Sequence, residues 1–242
     1  MFEKIYVLPP MDDSAKEAYG SIERMHIIPM MFLHTKAAKL ASCTLMNTVP
    51  VWSEIVERVN YVDRYLYALF RYWSPNVKII FGVSEELKVD LENSATFWKN
   101  IFFPARKGLI SIPRLIYRVV EYRMPVGNEF RLYNIAIIIH NNPSDAVSDK
   151  KRLCPVPTYG WEDIRNDDPE KGLSYACAMV PSINMRLGAY DKYDFPKGYH
   201  GTLQLVIMPV VKNGDYSGHV DVRGDIMNKM KELFPDQDIP QT

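Results

Sequence analysis

The sequence predicts an α+β domain, and three observations carry that prediction. First, Trp52, Ile55, Val59, Val62, Leu66 and Leu69 recur at three- and four-residue steps. They fall on one face of a long helix, with Glu54, Glu57, Arg58, Asp63 and Arg64 largely elsewhere. Second, short runs rich in β-branched residues, Val77–Val83 and Phe130–His140, read as buried strands. Third, Lys212-Asn213-Gly214-Asp215 separates two apolar runs, Gly201–Val211 and Tyr216–Val222. Asn-Gly supplies the positive φ values of a tight hairpin turn.

The remaining elements follow in chain order. Residues 1–24 read as an arm, with Pro9, Pro10, Asp12 and Asp13 and little periodicity. A single domain is expected over 25–234 and a frayed end over 235–242. Met25–His34 is apolar but broken by Pro29, which fits an extended segment. Lys39–Asn47 alternates in part and is predicted as a strand. Thr48 and Pro50 then open the helix Val51–Trp73, and Ser74-Pro75 closes it. Ser94–Phe103 is a short helix or an aromatic loop. Ile112, Leu115, Ile116, Val119 and Val120 keep helical spacing and predict a second helix. Asn141–Gly172 is a long polar connection rich in Pro, Asp and Asn, a candidate loop or boundary. Leu173–Val180 reads as a strand and Asp225–Phe234 as a helix capped by Asp225.

Composition excludes several classes. The chain has 242 residues, 47% hydrophobic and 24% charged, enough for a substantial core. Lys and Arg total 29, balanced by 29 Asp and Glu, so no global electrostatic grip on nucleic acid or lipid is expected. Cys43, Cys154 and Cys177 are odd in number and widely spaced, which predicts reduced thiols in a cytosolic protein. Met1–Pro10 lacks the apolar core of a secretory signal, and no run approaches the ~20 residues of a membrane span.

The search for chemistry returns no Walker loop, GxGxxG, HExxH, EF-hand or GxSxG pattern. The five histidines share no metal-ligand spacing. No catalytic residue, metal or cofactor is therefore expected. An enzyme whose site the fold assembles from His140, Cys177 and His200 stays open as an alternative. A local charge feature stands out instead. Lys99, Arg106, Lys107, Arg114, Arg118, Arg123 and Arg131 face only Glu121 and Glu129. Beside them stand Phe97, Trp98, Ile101, Phe102 and Phe103. Aromatics next to cations suit an anionic membrane interface or nucleoprotein phosphates. Alternatively, the aromatics pack inward and the cations solvate a helix.

Two segments carry a family resemblance. The order of Lys39–Asn47, Val51–Trp73 and Val77–Val83, and the stretch FPKGYHGTLQLVIMPV at Phe195–Val210, together resemble the core of rhabdovirus matrix proteins across about a quarter of the chain. The resemblance implies an antiparallel sheet packed against two or three helices and a non-enzymatic structural role. It implies self-association, condensation of the viral ribonucleoprotein, contact with the inner membrane face, and budding, in host cytoplasm and virion. Phe97, Trp98, Ile101, Phe102 and Phe103 would correspond to the family's exposed hydrophobic loop. Met11-Asp12-Asp13 would correspond to its host-factor contact. The sequence departs from the family in its slightly acidic arm and in Pro9-Pro10-Met11-Asp12, which lacks a budding-motif tyrosine. A viral accessory protein with a matrix-like fold, binding RNA or a host factor, is the alternative.

Overall fold

The computed structural model describes residues 22–42, 47–86, 88–89, 99–100, 102–105, 108–142, 152–154, 158–187, 199–206, 208–213 and 215–237. Strand β1 (Ile22–His26) takes in the last residues of the expected arm. It is followed by a 3-10 turn, Met30–Phe32, after Pro29. Helix α1 (Lys36–Ser42) replaces the strand expected from Lys39. Its sequence KAAKLAS is made mostly of strong helix formers, which outweighs the partial alternation. Strand β2 (Thr48–Trp52) pairs antiparallel with β1, Pro50 opposite Arg24. Pro50 thus belongs to a strand rather than to the first turn of a helix, as proline can where the ladder does not need its N–H.

Helix α2 (Ser53–Trp73) buries the expected face and more, because Tyr61, Tyr65 and Ala68 are covered too. Asp63 and Arg64, assigned to the polar side by spacing, are also buried. Strand β3 (Val77–Glu86) follows, then β4 (Lys88–Val89), β5 (Lys99–Asn100), β6 (Phe102–Ala105) and β7 (Gly108–Ser111). The described part of the Ser94–Phe103 aromatic segment is therefore extended, not helical. Strand β8 (Pro113–Val126) stands where the second helix was expected. Ile112, Ile116 and Val120 join the core on the α2 side, while Leu115 and Val119 join the core on the other. A strand buried on both faces loses its alternation, and its apolar positions can then mimic helical steps.

Strand β9 (Glu129–His140) returns through Gly127, whose φ of 59° suits a primed two-residue turn. A 3-10 turn at Glu162–Ile164 leads to β10 (Ser174–Cys177) and the short helix α3 (Pro181–Arg186). Then come β11 (Tyr199–Thr202), β12 (Met208–Lys212), β13 (Asp215–Val220) and α4 (Arg223–Leu233). The β12–β13 hairpin has Asn213 at φ 53°, as the turn residues require. Helix α4 starts two residues before the expected cap, so Asp225 lies in its first turn and accepts from the Tyr72 hydroxyl at 3.0 Å.

The main sheet has the order β10-β9-β8-β3, antiparallel throughout, with β11 joining β9 in parallel. The fold is α+β, with an antiparallel sheet at its centre. On one face α2 and α4 close a core of Ile55, Val62, Leu66, Leu69, Ile226 and Met230 against β8 and β9. On the other face Leu153, Met179, Ile183 and Leu187 cover Tyr117, Ala136 and Ile138. Asn141 ties β2 to the sheet. Its Oδ1 accepts from Trp52 N at 3.1 Å, and its Nδ2 donates to Pro50 O and Pro113 O. The polar connection 141–172 contributes to this body as well, since Trp161 and Ile164 sit inside the α2 core.

Candidate interaction surface

The basic segment is not one surface. Arg118 and Arg114 share a side of β8, four residues apart, but that side faces α2 and not solvent. Arg118 is 1% exposed and held by Asp63, with Nε to Oδ1 at 2.8 Å and Nη2 to Oδ2 at 3.0 Å. Its Nη1 donates to Tyr117 O, and its guanidinium lies 4.8 Å from the centre of the Phe81 ring. Burial pushes the Asp63 carboxyl upward and the Arg118 charge opposes that rise. Arg118 is therefore a core residue, which corrects its placement in a contact patch. Arg114 is half-buried, while Arg123 is exposed beside Glu121 at 3.4 Å. Lys99 lies in β5, and Phe102 and Phe103 lie in β6. Phe97, Trp98, Ile101, Arg106 and Lys107 lie outside the described residues, as do Met11, Asp12 and Asp13.

Two residues of the enzymatic alternative, His140 and Cys177, are engaged in internal contacts, and His200 lies in β11. His140 is buried, its Nε2 3.0 Å from the Tyr175 hydroxyl, which also accepts from Leu153 N. Cys177 is joined to Cys154 in a disulfide, with Cα atoms 5.9 Å apart. This corrects the expectation of three reduced thiols and leaves Cys177 no nucleophilic sulfur. The bond closes a loop spanning a sequence separation of 23. Cys177→Ser is expected to lower stability by about 3 kcal/mol under oxidising conditions. The check is the denaturation midpoint with and without reductant; the wild type should drop to the variant's value only when reduced. Among the described residues no three His, Cys, Asp or Glu side chains are grouped to hold a metal. No helix among them is long and apolar enough to cross a membrane.

Sequence reasoning missed a polar staple over α2. Tyr65 donates to Asp163 at 3.3 Å, while Arg223 reaches Glu162 and Asp221, each at 3.0 Å. Burial raises the Asp163 carboxyl against the pull of Arg223, and the Arg223 hydrogen bond lowers Asp221. The cluster clamps the 161–164 turn to α2 and α4. No spacing in the sequence brings these residues together, because they come from three distant segments.

The sheet's two edges differ. The outer edge of β10 is covered: Thr158 N donates to Ala176 O, and Asn166 exchanges both main-chain bonds with Ser174. Strand β3 is the opposite edge, and among the described residues no strand pairs with its outer side. It is ten residues long and keeps an unshifted register with β8. Long regular edges are templates for further strand pairing unless blunted by bulges, charges or cover. Here the only charge before its acidic end is Lys78, and there is no bulge. The neighbouring segment docks Phe32 on Phe81, ring centres 4.9 Å apart, and exposes Ile28 and Met30. Leu40 of α1 is 60% exposed. At the far end of the sheet the β8–β9 hairpin presents Phe130, 64% exposed, with the exposed Arg123 on the same face of the ladder and the exposed Arg131 on the other. No protein-family model matches this chain, and no curated protein matches it.

Proposed function

We propose that this chain is a non-enzymatic structural protein that works by self-association, in the matrix-like way its resemblance to rhabdovirus matrix proteins implies. It would bridge a viral ribonucleoprotein and the inner membrane face during assembly and budding. The observation that carries this reading is the β3 edge, with which no further strand among the described residues pairs, together with the exposed Ile28 and Met30. The groups best suited to chemistry support it from the other side, since Arg118, His140 and Cys177 are engaged in internal contacts. The disulfide qualifies the location. Such bonds persist in oxidising surroundings. The proposal therefore has open thiols in host cytoplasm and a closed Cys154–Cys177 bond in released particles.

Sedimentation of the full chain tests the reading. Concentration-dependent oligomers that also pellet with anionic liposomes or nucleocapsids are expected; a strict monomer that ignores both overturns it. Trp98→Ser with Phe102→Ser should weaken association while leaving the melting temperature nearly unchanged. A collapse in thermal stability would instead make them core residues. The accessory-protein alternative has one observation in its favour, the exposed residues near the hairpin tip, with Arg123 and Phe130 on one face of the ladder and Arg131 on the other. RNA binding that weakens steeply with salt and is lost in Arg123→Glu with Arg131→Glu would favour that reading over assembly on a membrane.

A further inference from the structure

We infer that β3 is a homodimerisation edge at which two copies of this chain pair antiparallel about a twofold axis centred on Gly82. The inference rests on the self-association reading and specifies its interface.

The hydrogen-bond phase of the sheet limits the registers. Arg123 N donates to Asn76 O, and Asn141 N donates to Arg114 O. Bonded pairs in an antiparallel ladder recur every second residue. With the β3–β8 register of Val77 to Tyr122, even-numbered residues of β3 bond to β8. The β8–β9 register gives the matching result, with even-numbered residues of β8 turned to β9. The N–H and C=O groups of Val77, Ile79, Phe81, Val83 and Glu85 therefore point away from the sheet. An antiparallel partner identical to β3 must place odd residues opposite odd residues, so only registers centred on a residue are allowed.

Charge then selects among them. Centring on Gly82 puts Lys78 at the register position of Glu86 in the other copy, at both ends of the interface. These fall in non-hydrogen-bonded pairs, where opposing side chains are closest. Phe81 falls opposite Val83, an aromatic and β-branched pair of the kind that stabilises ladders. Centring one position later, on Val83, would put Lys78 opposite Lys88. Centring on Phe81 leaves Lys78 opposite Ser84, without an ionic partner. Gly82 itself meets its own copy on the axis. It has no side chain, and a Cβ there would come within 2.2 Å of the Tyr117 ring, so the position stays bare. The result is one sheet continuous across two subunits, with Lys78 changed from a guard against random pairing into a register key.

Sedimentation velocity on the full chain tests this with three variants. Lys78→Glu faces Glu86 with a like charge and should weaken dimerisation at least tenfold. Lys78→Glu with Glu86→Lys restores opposite charges and should restore wild-type association. Val83→Pro removes an outward N–H without touching the β8 ladder and should also yield monomers, with circular dichroism confirming a folded chain. Association unchanged by Lys78→Glu, or no rescue in the double variant, overturns the β3 interface while leaving self-association intact. A wild type that is monomeric at every concentration overturns both.

Discussion

Asp63→Ala is expected to destabilise the protein by about 3–5 kcal/mol, although it removes a charged residue from the middle of a helix. Asp63 and Arg118 are each 1% exposed and meet through two hydrogen bonds. Removing Asp63 leaves a buried guanidinium whose remaining contacts are Tyr117 O and the Phe81 face. Arg118→Ala has a different signature. The Asp63 carboxyl can take up a proton, and burial already pushes it above 3.8. Without Arg118 to oppose that rise, the folded state binds the proton more tightly than the unfolded chain. Stability then falls as pH rises from near the unfolded value toward the folded one. The deficit of Arg118→Ala should therefore grow between pH 4 and neutrality in urea unfolding across that range, whereas Asp63→Ala removes the titrating carboxyl and with it this fall in stability. Asp63→Leu with Arg118→Met replaces the pair with apolar volume and should recover most of the loss. A deficit below about 1 kcal/mol for Asp63→Ala would mean that the pair is hydrated and does not organise the α2–sheet interface.

The same pair shows where the sequence could be read and where it could not. Helix α2 was legible because one face of it meets one sheet, and a single apolar stripe records that contact. Strands β3, β9 and β10 and the β12–β13 hairpin were legible from short β-branched runs and the Asn-Gly turn. Strand β8 was not, because it is central and covered on both faces; Ile112, Ile116 and Val120 serve one core and Leu115 and Val119 the other. Once β8 is taken for a helix, Arg118 falls on its polar side, and the buried pairing with Asp63 cannot be anticipated. The disulfide was illegible for another reason. Three cysteines without short spacing give no framework, and only the fold brings Cys154 onto Cys177. The open edge needed the topology, since no residue pattern distinguishes an edge strand from its paired neighbour without strand order.

Trp161→Ala should cost about 3–5 kcal/mol, the second large effect, and it bears on the long polar connection. Composition marks 141–172 as a loop or boundary, and substitution in a linker would change stability by less than about 0.5 kcal/mol. Trp161 is instead 1% exposed, and its ring centre lies 6.5 Å from that of Tyr65 on α2. Its Nε1 donates to Leu203 O at 2.8 Å, joining the connection to the chain leaving β11. Alanine removes the ring from the core and leaves the Leu203 carbonyl without this donor. Trp161→Phe retains most of the buried ring and loses the donor alone, so its deficit should be nearer 1–2 kcal/mol. The separation between the two variants in guanidinium unfolding measures packing against hydrogen bonding. Hydrogen exchange gives the local readout. Thr158 and Asn166, which cover the outer edge of β10, flank this anchor. In Trp161→Ala the Thr158 and Asn166 amides should lose protection before those of β8 and β9 do. Uniform protection across all four would show that the cover of that edge does not depend on the Trp161 anchor.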